Sequence, residues 1–502
     1  MWITQNDLLS KNIEIGAITA NSKALLDLIS DDSRADYKIA MVDGRKYFRV
    51  ENTALNLTEF NTYNTYEPSG TDSNGNPTYK VTSKTNPSSS NLKKPSAIYR
   101  NAVLQKIDYG LANGVMIENP DESAVENINK TLGNSKDVKI SSLATEGANS
   151  AMSYFYIYIT KAGEFGYMVM DSNELIVVYE DDTRERISEV IRYYKVETVT
   201  DGVTSSKYII EIYGATSKEV FEEQTNGILV SQGVNAYGLI KTTDNEIEKV
   251  INWGRPPFVE FINNPERITD LQPAKSQIDD IDHQDSKLSN DFLTRPESII
   301  NVNGFDGDDP SALIEFLQTV GVSFTDGDSG SISGIEIKIP YEGKQAVISE
   351  TTKNAYKALQ AVDNGTETVS KASSGKALQI MYKPLNMKVL RMYQGLTKSL
   401  SELMWFVNEY YKMTSQLSGV ETIPQFNVEE CSFNFTPDVV FDLVELADII
   451  TKLSIVLPPK ELLKLLPFVD ENNIDEILEE LEKQNASLFN DNIEALPVDD
   501  TE

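Results

Sequence analysis

The sequence predicts an α+β fold, and three observations carry that reading. The first half of the chain holds successive β-branched and aromatic runs separated by polar turns, as strands require. The second half holds apolar residues at three- and four-residue spacing over long stretches, as helices require. Hydrophobic residues make up 40% and charged residues 24% of the 502, a balance that excludes wholesale disorder and fibrous repeats. At roughly 100–200 residues per domain, this length holds about three to five structural units.

Residues 1–66 combine a short amphipathic segment at 24–29 with a strand-like run at 37–50. The stretch 68–92 is rich in Ser, Asn, Gly, Pro and Thr. It cannot offset its ordering entropy by apolar burial and reads as a mobile surface excursion. A helix-like block spans 96–112. Strands are expected at 153–160, 167–170, 174–179, 190–196 and 208–213, so that up to about residue 264 the chain forms an α+β domain with a large antiparallel sheet.

From Leu271 the apolar residues Leu271, Ala274, Ile278, Ile281, Leu288 and Phe292 mark one helix of about 23 residues, with Asp285 at the skipped seam position. Pro273 is expected in its first turn, and Arg295-Pro296 ends it. A compact insert follows at 297–343: a strand at 297–303, a helix at 310–320, and a strand with the period-2 pattern Ile335, Ile337, Ile339. The alternation with Glu336 and Lys338 leaves one face of that strand in need of burial. In an insert of this size a neighbouring subunit is the expected cover.

A second helix is expected at 346–362 and a third at 376–413, interrupted by Pro384 and Gly395, with a kink at the proline. The stretch DNGTETVSKASSG at 363–375 between them has no large apolar residue and exceeds the usual length of a helical connection, which suits a segment that moves. A strand at 431–435 precedes a helical C-terminal group. The chain ends acidic, with twelve Asp or Glu against Lys483 alone between Asp470 and Glu502.

Net charge of −32 excludes a protein that wraps DNA through a basic surface, since phosphate neutralisation needs clustered Lys and Arg. One cysteine, Cys431, excludes an intramolecular disulfide framework and fits a reducing compartment. With His283 the only histidine, no His/Cys zinc site can form within one chain, and His283 itself reads as a solvated side chain in an acidic helix. Gly375-Lys376 is followed by Ala377 and has no glycine five positions before Gly375, so there is no nucleotide-binding P-loop. DGDD at 306–309 and DGDSG at 326–330 lack the spacing and closing Glu of a calcium loop and read as solvated turns. No metal, cofactor or catalytic group is expected. The N-terminus lacks an export signal, and no stretch approaches the ~20 apolar residues that cross a bilayer.

One feature opposes the global charge. The third helix carries Lys376, Lys383, Lys388, Arg391, Lys398 and Lys412 against Glu402 and Glu409, a net +4. It reads either as the solvated face of an amphipathic helix or as a face turned toward a polyanion.

The order of parts after Trp253 resembles that of the portal proteins of tailed bacteriophages, of the siphophage type. Three runs carry the likeness. NELIVVYEDDTRERISEVIRYYKV (173–196) is similar to the family's strand, acidic turn and R-Y-Y strand. INWGRPPFVEFINNPERITDL (251–271) resembles its W-G-R-x-P entry to the stem, and ALQAVDNGTETVSKASSGKALQIMY (358–382) its Gly-containing tunnel loop opening a helix. The likeness extends from about residue 37 to about 481, while 1–35 match nothing and the 68–92 excursion is longer than the family usually carries there.

The resemblance implies a portal fold assembled as a ring. It would have a wing at 1–267, to which 414–436 returns, and stem helices at 268–293 and 344–362. A clip at 294–343, a tunnel loop at 363–375, a long kinked helix at 376–413, and a crown with acidic tail at 437–502 would complete it. It implies a ring, of twelve copies, at one capsid vertex, assembled in the host cytoplasm. The expected partners are the terminase large subunit, the head-tail adaptor, the major capsid and scaffolding proteins, and double-stranded DNA held weakly and without sequence preference. Gly365, Thr366, Lys371, Ser373, Ser374, Gly375 and Lys376 would line the channel, with Lys371 its one positive charge in the loop; Ile335, Ile337 and Ile339 would serve assembly at the clip. An acidic wall suits a bore that must not grip moving DNA. Two other readings stay open: a homo-oligomeric head or tail protein without a channel, and an acidic, strand-rich phage protein that binds or hydrolyses carbohydrate.

Overall fold

The computed structural model describes residues 3–11, 13, 22–73, 76–86, 89–200, 203–224, 227–241, 248–294, 298–303, 331–336, 339–363, 375–415, 423–437, 450–463, 469, 474, 477–481 and 483. Contacts divide the chain into two units, Met1–Asp363 with Pro384–Asp438, and Asn364–Lys383 with Val439–Glu502.

The first unit opens with β1 (Ile3–Thr4) and the short helix α1 (Gln5–Ser10), where Thr4 and Asp7 form a reciprocal capping box. α2 (Ser22–Ser33) and α3 (Asp36–Phe48) follow. The strand expected at 37–50 is therefore a helix. Its buried residues, Lys38, Met41, Gly44 and Tyr47, recur at the three-residue spacing of a helix packed on more than one side, whereas Ile39 and Val42 face solvent.

The excursion after it is also ordered differently from the expectation. β2 (Thr62–Thr71) and β3 (Pro77–Thr85) pair as an antiparallel hairpin, and its Tyr63, Tyr66, Tyr79 and Val81 remain exposed. Ladder hydrogen bonds and cross-strand pairs supply the order that burial does not.

α4 (Ile98–Leu111) and β4 (Val115–Glu118) lead into two helices that carried clear signals in the sequence and were not expected. α5 (Glu122–Leu132) is capped by the Asp121 carboxylate, buries Ala124, Ile128 and Leu132 at four-residue spacing, and stops at Gly133, whose φ is 74°. α6 (Lys136–Ser150) packs on α3, where the Gly44 position faces the Asn149 carbonyl and leaves no room for a Cβ.

The strand territory splits into two sheets rather than one. β5 (Met152–Ile159), β6 (Phe165–Met170) and, much later, β14 (Phe258–Ile262) form a three-stranded sheet in the order β14-β5-β6. Between them in sequence, β7 (Leu175–Tyr179), β8 (Ile187–Thr200), β9 (Val203–Tyr213), β10 (Ser217–Glu223) and β11 (Leu229–Ala236) join β1 in a six-stranded sheet, β1-β7-β8-β9-β10-β11. β1 runs parallel to β7, and every other pair is antiparallel. A small hairpin, β12 (Leu239–Lys241) with β13 (Glu248–Val250), follows it.

The first 33 residues, which match nothing by resemblance, have a structural task. Ile3, Leu8, Ile13, Leu25, Leu28 and Ile29 pack on Ile176, Val178, Ile191, Ile210, Ile212, Phe221 and Leu229 of the six-stranded sheet. At about 1.5–3 kcal/mol for each large aliphatic side chain fully buried, this cover stabilises a face that would otherwise meet water. A buried polar knot pins it. Asp32 accepts from the hydroxyls of Tyr37 and Tyr193 and lies 3.4 Å from Lys38, whose ammonium donates to the carbonyls of Ser172, Asn173 and Leu175.

α7 (Lys275–Thr294) begins four residues later than the apolar spacing suggested, so Pro273 precedes the helix instead of lying in its first turn. Phe292, read as a seam residue, is exposed. A polar stripe that the apolar pattern conceals runs down the same helix. Asp282, Ser286 and Asn290, four residues apart and buried, accept from the backbone N–H groups of Ser96, Lys94 and Leu92. Asp285 pairs with Lys94 at 2.7 Å, and His283 is exposed with its ring 5.4 Å from Phe60.

β15 (Ser298–Asn303) and β16 (Ser331–Glu336) pair antiparallel between α7 and α8 (Tyr341–Leu359). The helix expected at 310–320 lies outside the described residues. α8 starts five residues before its expected position, directly after Pro340, and ends at Gln360 in the left-handed conformation. Lys344 reaches Asp291 at 2.6 Å and Phe292 meets Tyr341, which sets the C-terminal end of α7 beside the start of α8. α9 (Gly375–Ser415) is a single 41-residue helix that continues through Pro384 and Gly395. The glycine read as an interruption is a point of close approach, because its missing Cβ admits the Ile262 carbonyl of β14. β17 (Ser432–Phe435) then pairs antiparallel with β4.

In the second unit, a short helix, α10 (Pro459–Leu463), falls within the expected C-terminal helical group; residues 450–453 and 477–481 of that group are helical as well, while Leu443 and Leu446 lie outside the described residues.

Candidate functional site

The predicted channel residues Gly365, Thr366, Lys371, Ser373 and Ser374 lie outside the described residues, while Gly375 and Lys376 begin α9. Of the three isoleucines, Ile335 sits in β16 opposite Ile299 and Ile337 lies outside the described residues. Ile339 falls beyond the described strand, with its carbonyl accepting from the Tyr341 N–H at the start of α8. The period-2 pattern therefore does not continue as strand to Ile339, because Pro340 and the helix start redirect the chain.

The structure does define the framework on either side of 363–375. α8 ends on Leu359. The left-handed Gln360 (φ 54°) turns the chain, and the N–H groups of Gln360 and Ala361 close back on Lys357 and Tyr356. The Leu359 carbonyl, one of the acceptors a helix end leaves open, takes a hydrogen bond from the Lys388 ammonium at 2.8 Å. Three residues on, the Gln105 side chain holds Val362 at both backbone groups. It accepts from the Val362 N–H at 2.8 Å and donates to the Val362 carbonyl at 3.2 Å.

Behind this clamp lies a buried charge cluster. One Asp270 oxygen receives Lys106 of α4 and Lys388 of α9, each at 3.1 Å, while its other oxygen accepts from Asn263 at 2.8 Å. Lys106 also donates to Asn263 at 2.6 Å. Burial pushes the Asp270 carboxyl up, but the two ammonium groups and the hydrogen bonds outweigh it and hold the group at about 2. Burial pulls Lys106 down to about 8 despite Asp270, because it is wholly enclosed and shares its one carboxylate with Lys388. Lys106, Lys357, Gln360, Lys388 and Arg391 line a cavity of about 350 Å³ beside this cluster.

The basic residues of α9 are divided by this arrangement. Lys388 turns inward, Lys412 pairs with Glu409 at 3.1 Å, and Lys383, Arg391 and Lys398 are exposed. The helix is held in place by Ser399, which donates to the Glu260 carbonyl at 2.7 Å, and by Tyr393, which donates to the Gly110 carbonyl at 2.6 Å. Sequence reasoning missed Gln105, Lys106 and Asp270, which lie more than 100 residues apart at the extremes. A signal existed at Lys106 alone, which falls three or four residues from Ala102, Val103, Tyr109 and Gly110 on the core-facing side of α4; Gln105 and Asp270 carried none. Among the described residues, no group of three or more His, Cys, Asp or Glu side chains is placed to hold a metal ion, and no helix is long and apolar enough to cross a membrane.

Residues 37–487 match the sequence profile described as phage portal protein, SPP1 Gp6-like. The chain belongs to this family. The portal protein of Bacillus phage SPP1 is 26% identical over 328 residues, 65% of this chain and 64% of the SPP1 protein, so the match spans just under two thirds of that relative's length. The portal protein of Clostridium phage phiCD119 is 26% identical over 383 residues, 73% of this chain and 79% of that protein. Among solved structures, a chain of the neck of native GTA particle computed with C12 symmetry aligns at 13% identity over 75% of this chain and 91% of its own, with a TM-score of 0.38. Phage portal proteins are structural components of the virion that form oligomeric rings in phage heads, and the resemblance read from the three sequence runs is to this family.

Proposed function

We propose that this portal family member forms a ring-shaped channel at one capsid vertex. Through it DNA enters under the action of the terminase motor and later leaves through the docked head-tail adaptor. The observation that carries the reading is the order of parts after β14. Two long helices, α7 and α8, flank the antiparallel pair β15 and β16, and a thirteen-residue small and polar segment then opens a 41-residue helix. In this reading α7 and α8 are the stem, and 294–343 is the clip and the docking point for the motor. The segment 363–375 lines the bore with Lys371 as its positive charge, and 437–502 is the crown. The protein is a conduit, and catalysis belongs to its partners. Exposed apolar side chains at the paired helix ends, Phe292, Leu293, Tyr341 and Val347, support assembly with further copies. Net charge of −32 per copy supports a wall that repels DNA instead of gripping it.

Light scattering and negative-stain imaging of the purified protein test this. The expected result is a ring with a central opening wide enough for duplex. A stable species near 56 kDa at micromolar concentration, or an oligomer with no opening, overturns it.

A further inference from the structure

We infer that the cavity lined by α4, α8, α9 and the segment leading into α7 is a binding site for a phosphate dianion, either free or carried as a terminal monoester. The site is built within one copy and does not depend on whether the chain forms a channel.

The first observation is charge. The chain carries −32, yet the side chains lining this cavity of about 350 Å³ include Lys106, Lys357, Lys388 and Arg391 against only Asp270 and Glu266, a local net of +2. The two inner cations share one carboxylate, since Lys106 and Lys388 each lie 3.1 Å from the same Asp270 oxygen. An ammonium has three N–H donors. Lys106 uses two, on Asp270 and Asn263, while Lys388 donates to the Leu359 carbonyl and pairs with Asp270. Both therefore keep donor capacity, and together they exceed their counter-charge by one. Burial accordingly holds Lys106 down at about 8 despite Asp270. Lys357 and Arg391 are exposed and form no ion pair among the described residues, so they stand free to close on a guest.

The second observation is a floor fixed in advance. Lys106, Asn263 and Asp270 are 1%, 2% and 6% exposed and hydrogen-bonded to one another, so the inner donors meet a guest without rearranging. The volume falls within the roughly 300–1,000 Å³ of small-molecule sites.

The charge selects the guest. A phosphate monoester brings about −1.5 to −2 charges at neutral pH and three acceptor oxygens, which matches the local excess and the spread of donors. A carboxylate or a backbone phosphodiester brings a single charge and leaves the cavity positive. Charge-assisted hydrogen bonds from ammonium and guanidinium groups are the strong ones available to such an ion.

The test is calorimetric titration of the purified full chain with orthophosphate at neutral pH in buffer of about 0.15 M chloride, and with acetate in parallel. The expected results are saturable binding of one phosphate per chain and acetate weaker by roughly tenfold or more. The double variant Lys357→Gln, Arg391→Gln should lower phosphate affinity by roughly tenfold while melting as wild type in phosphate-free buffer, because both side chains are exposed. No phosphate binding, acetate binding as tightly as phosphate, or wild-type affinity in the double variant each overturns the inference. The second of these would point to an acidic side chain of a neighbouring copy instead. A terminally phosphorylated oligonucleotide and its unphosphorylated twin separate the sources. Displacement of phosphate by the first alone identifies a terminal ester as the guest, and displacement by neither identifies the free ion. Displacement by the unphosphorylated twin overturns the inference, since backbone diesters would then suffice.

Discussion

Lys106 and Asp270 meet at 3.1 Å with side chains 1% and 5% exposed, joining α4 to the approach of α7. Asp270→Asn keeps the shape and removes the charge, leaving Lys106 and Lys388 facing each other across a neutral amide. Losing one partner of a buried pair costs about 3–5 kcal/mol, because the remaining charge is left uncompensated. Urea unfolding of the variant should show a loss of that size. A change below about 1 kcal/mol would mean that water compensates Lys106.

The same pair predicts a pH dependence with a definite sign. Lys106 titrates at about 8 in the folded protein against 10.5 for an ordinary lysine, so between those values the unfolded chain holds more protons and stability rises with pH. Asp270, depressed from 3.8 to about 2, contributes stability that is present above pH 4 and lost as pH falls through about 2. The denaturation midpoint of wild type relative to Lys106→Met should therefore increase between pH 7 and pH 9.5. A flat difference would show that Lys106 does not titrate in that window.

Two glycines in helices should respond oppositely to alanine. At Gly395 a Cβ would collide with the Ile262 carbonyl, a backbone atom that cannot swing aside, so Gly395→Ala should cost about 1–3 kcal/mol. At Gly343 in α8 a Cβ meets nothing within 4 Å, and Gly343→Ala should stabilise by up to about 1 kcal/mol through helix propensity. Thermal melts of the two variants should move in opposite directions.

The hairpin of β2 and β3 exposes Tyr63, Tyr66, Tyr79 and Val81, and its two ends meet at Asn61 and Asn86, where the Asn86 N–H donates to the Asn61 carbonyl at 2.7 Å. Replacing 63–84 by a short Gly-Ser link should leave the melting temperature of the rest within a few degrees, because almost no core is removed. Loss of cooperative melting would mean that the hairpin is part of the fold.

Phe292 and Leu293 are more than half exposed at the end of α7. The double change Phe292→Asp, Leu293→Asp should leave the circular dichroism spectrum of the chain unchanged and lower its assembly state by light scattering. Rings of normal size from the double variant would remove this patch from the interface.

The sequence alone determined the fold class, the long helices after residue 270, most strands between 152 and 213, and the family, because each is written in local periodicity or in runs of contiguous residues. Even there, tertiary packing decided boundaries. Most of the run at 37–50 forms α3 (Asp36–Phe48) because its side chains at three-residue spacing found buried neighbours, and SYFYIYIT left the large sheet to pair with β14, 100 residues away. The framework beside 363–375 was not legible. Nothing local to Gln105, Asp270 or Lys388 distinguishes a side chain that holds a distant backbone from one that faces water. That choice depends on where α4, α8 and α9 come to rest together, since only burial makes an ammonium seek one particular carboxylate and an amide one particular peptide group.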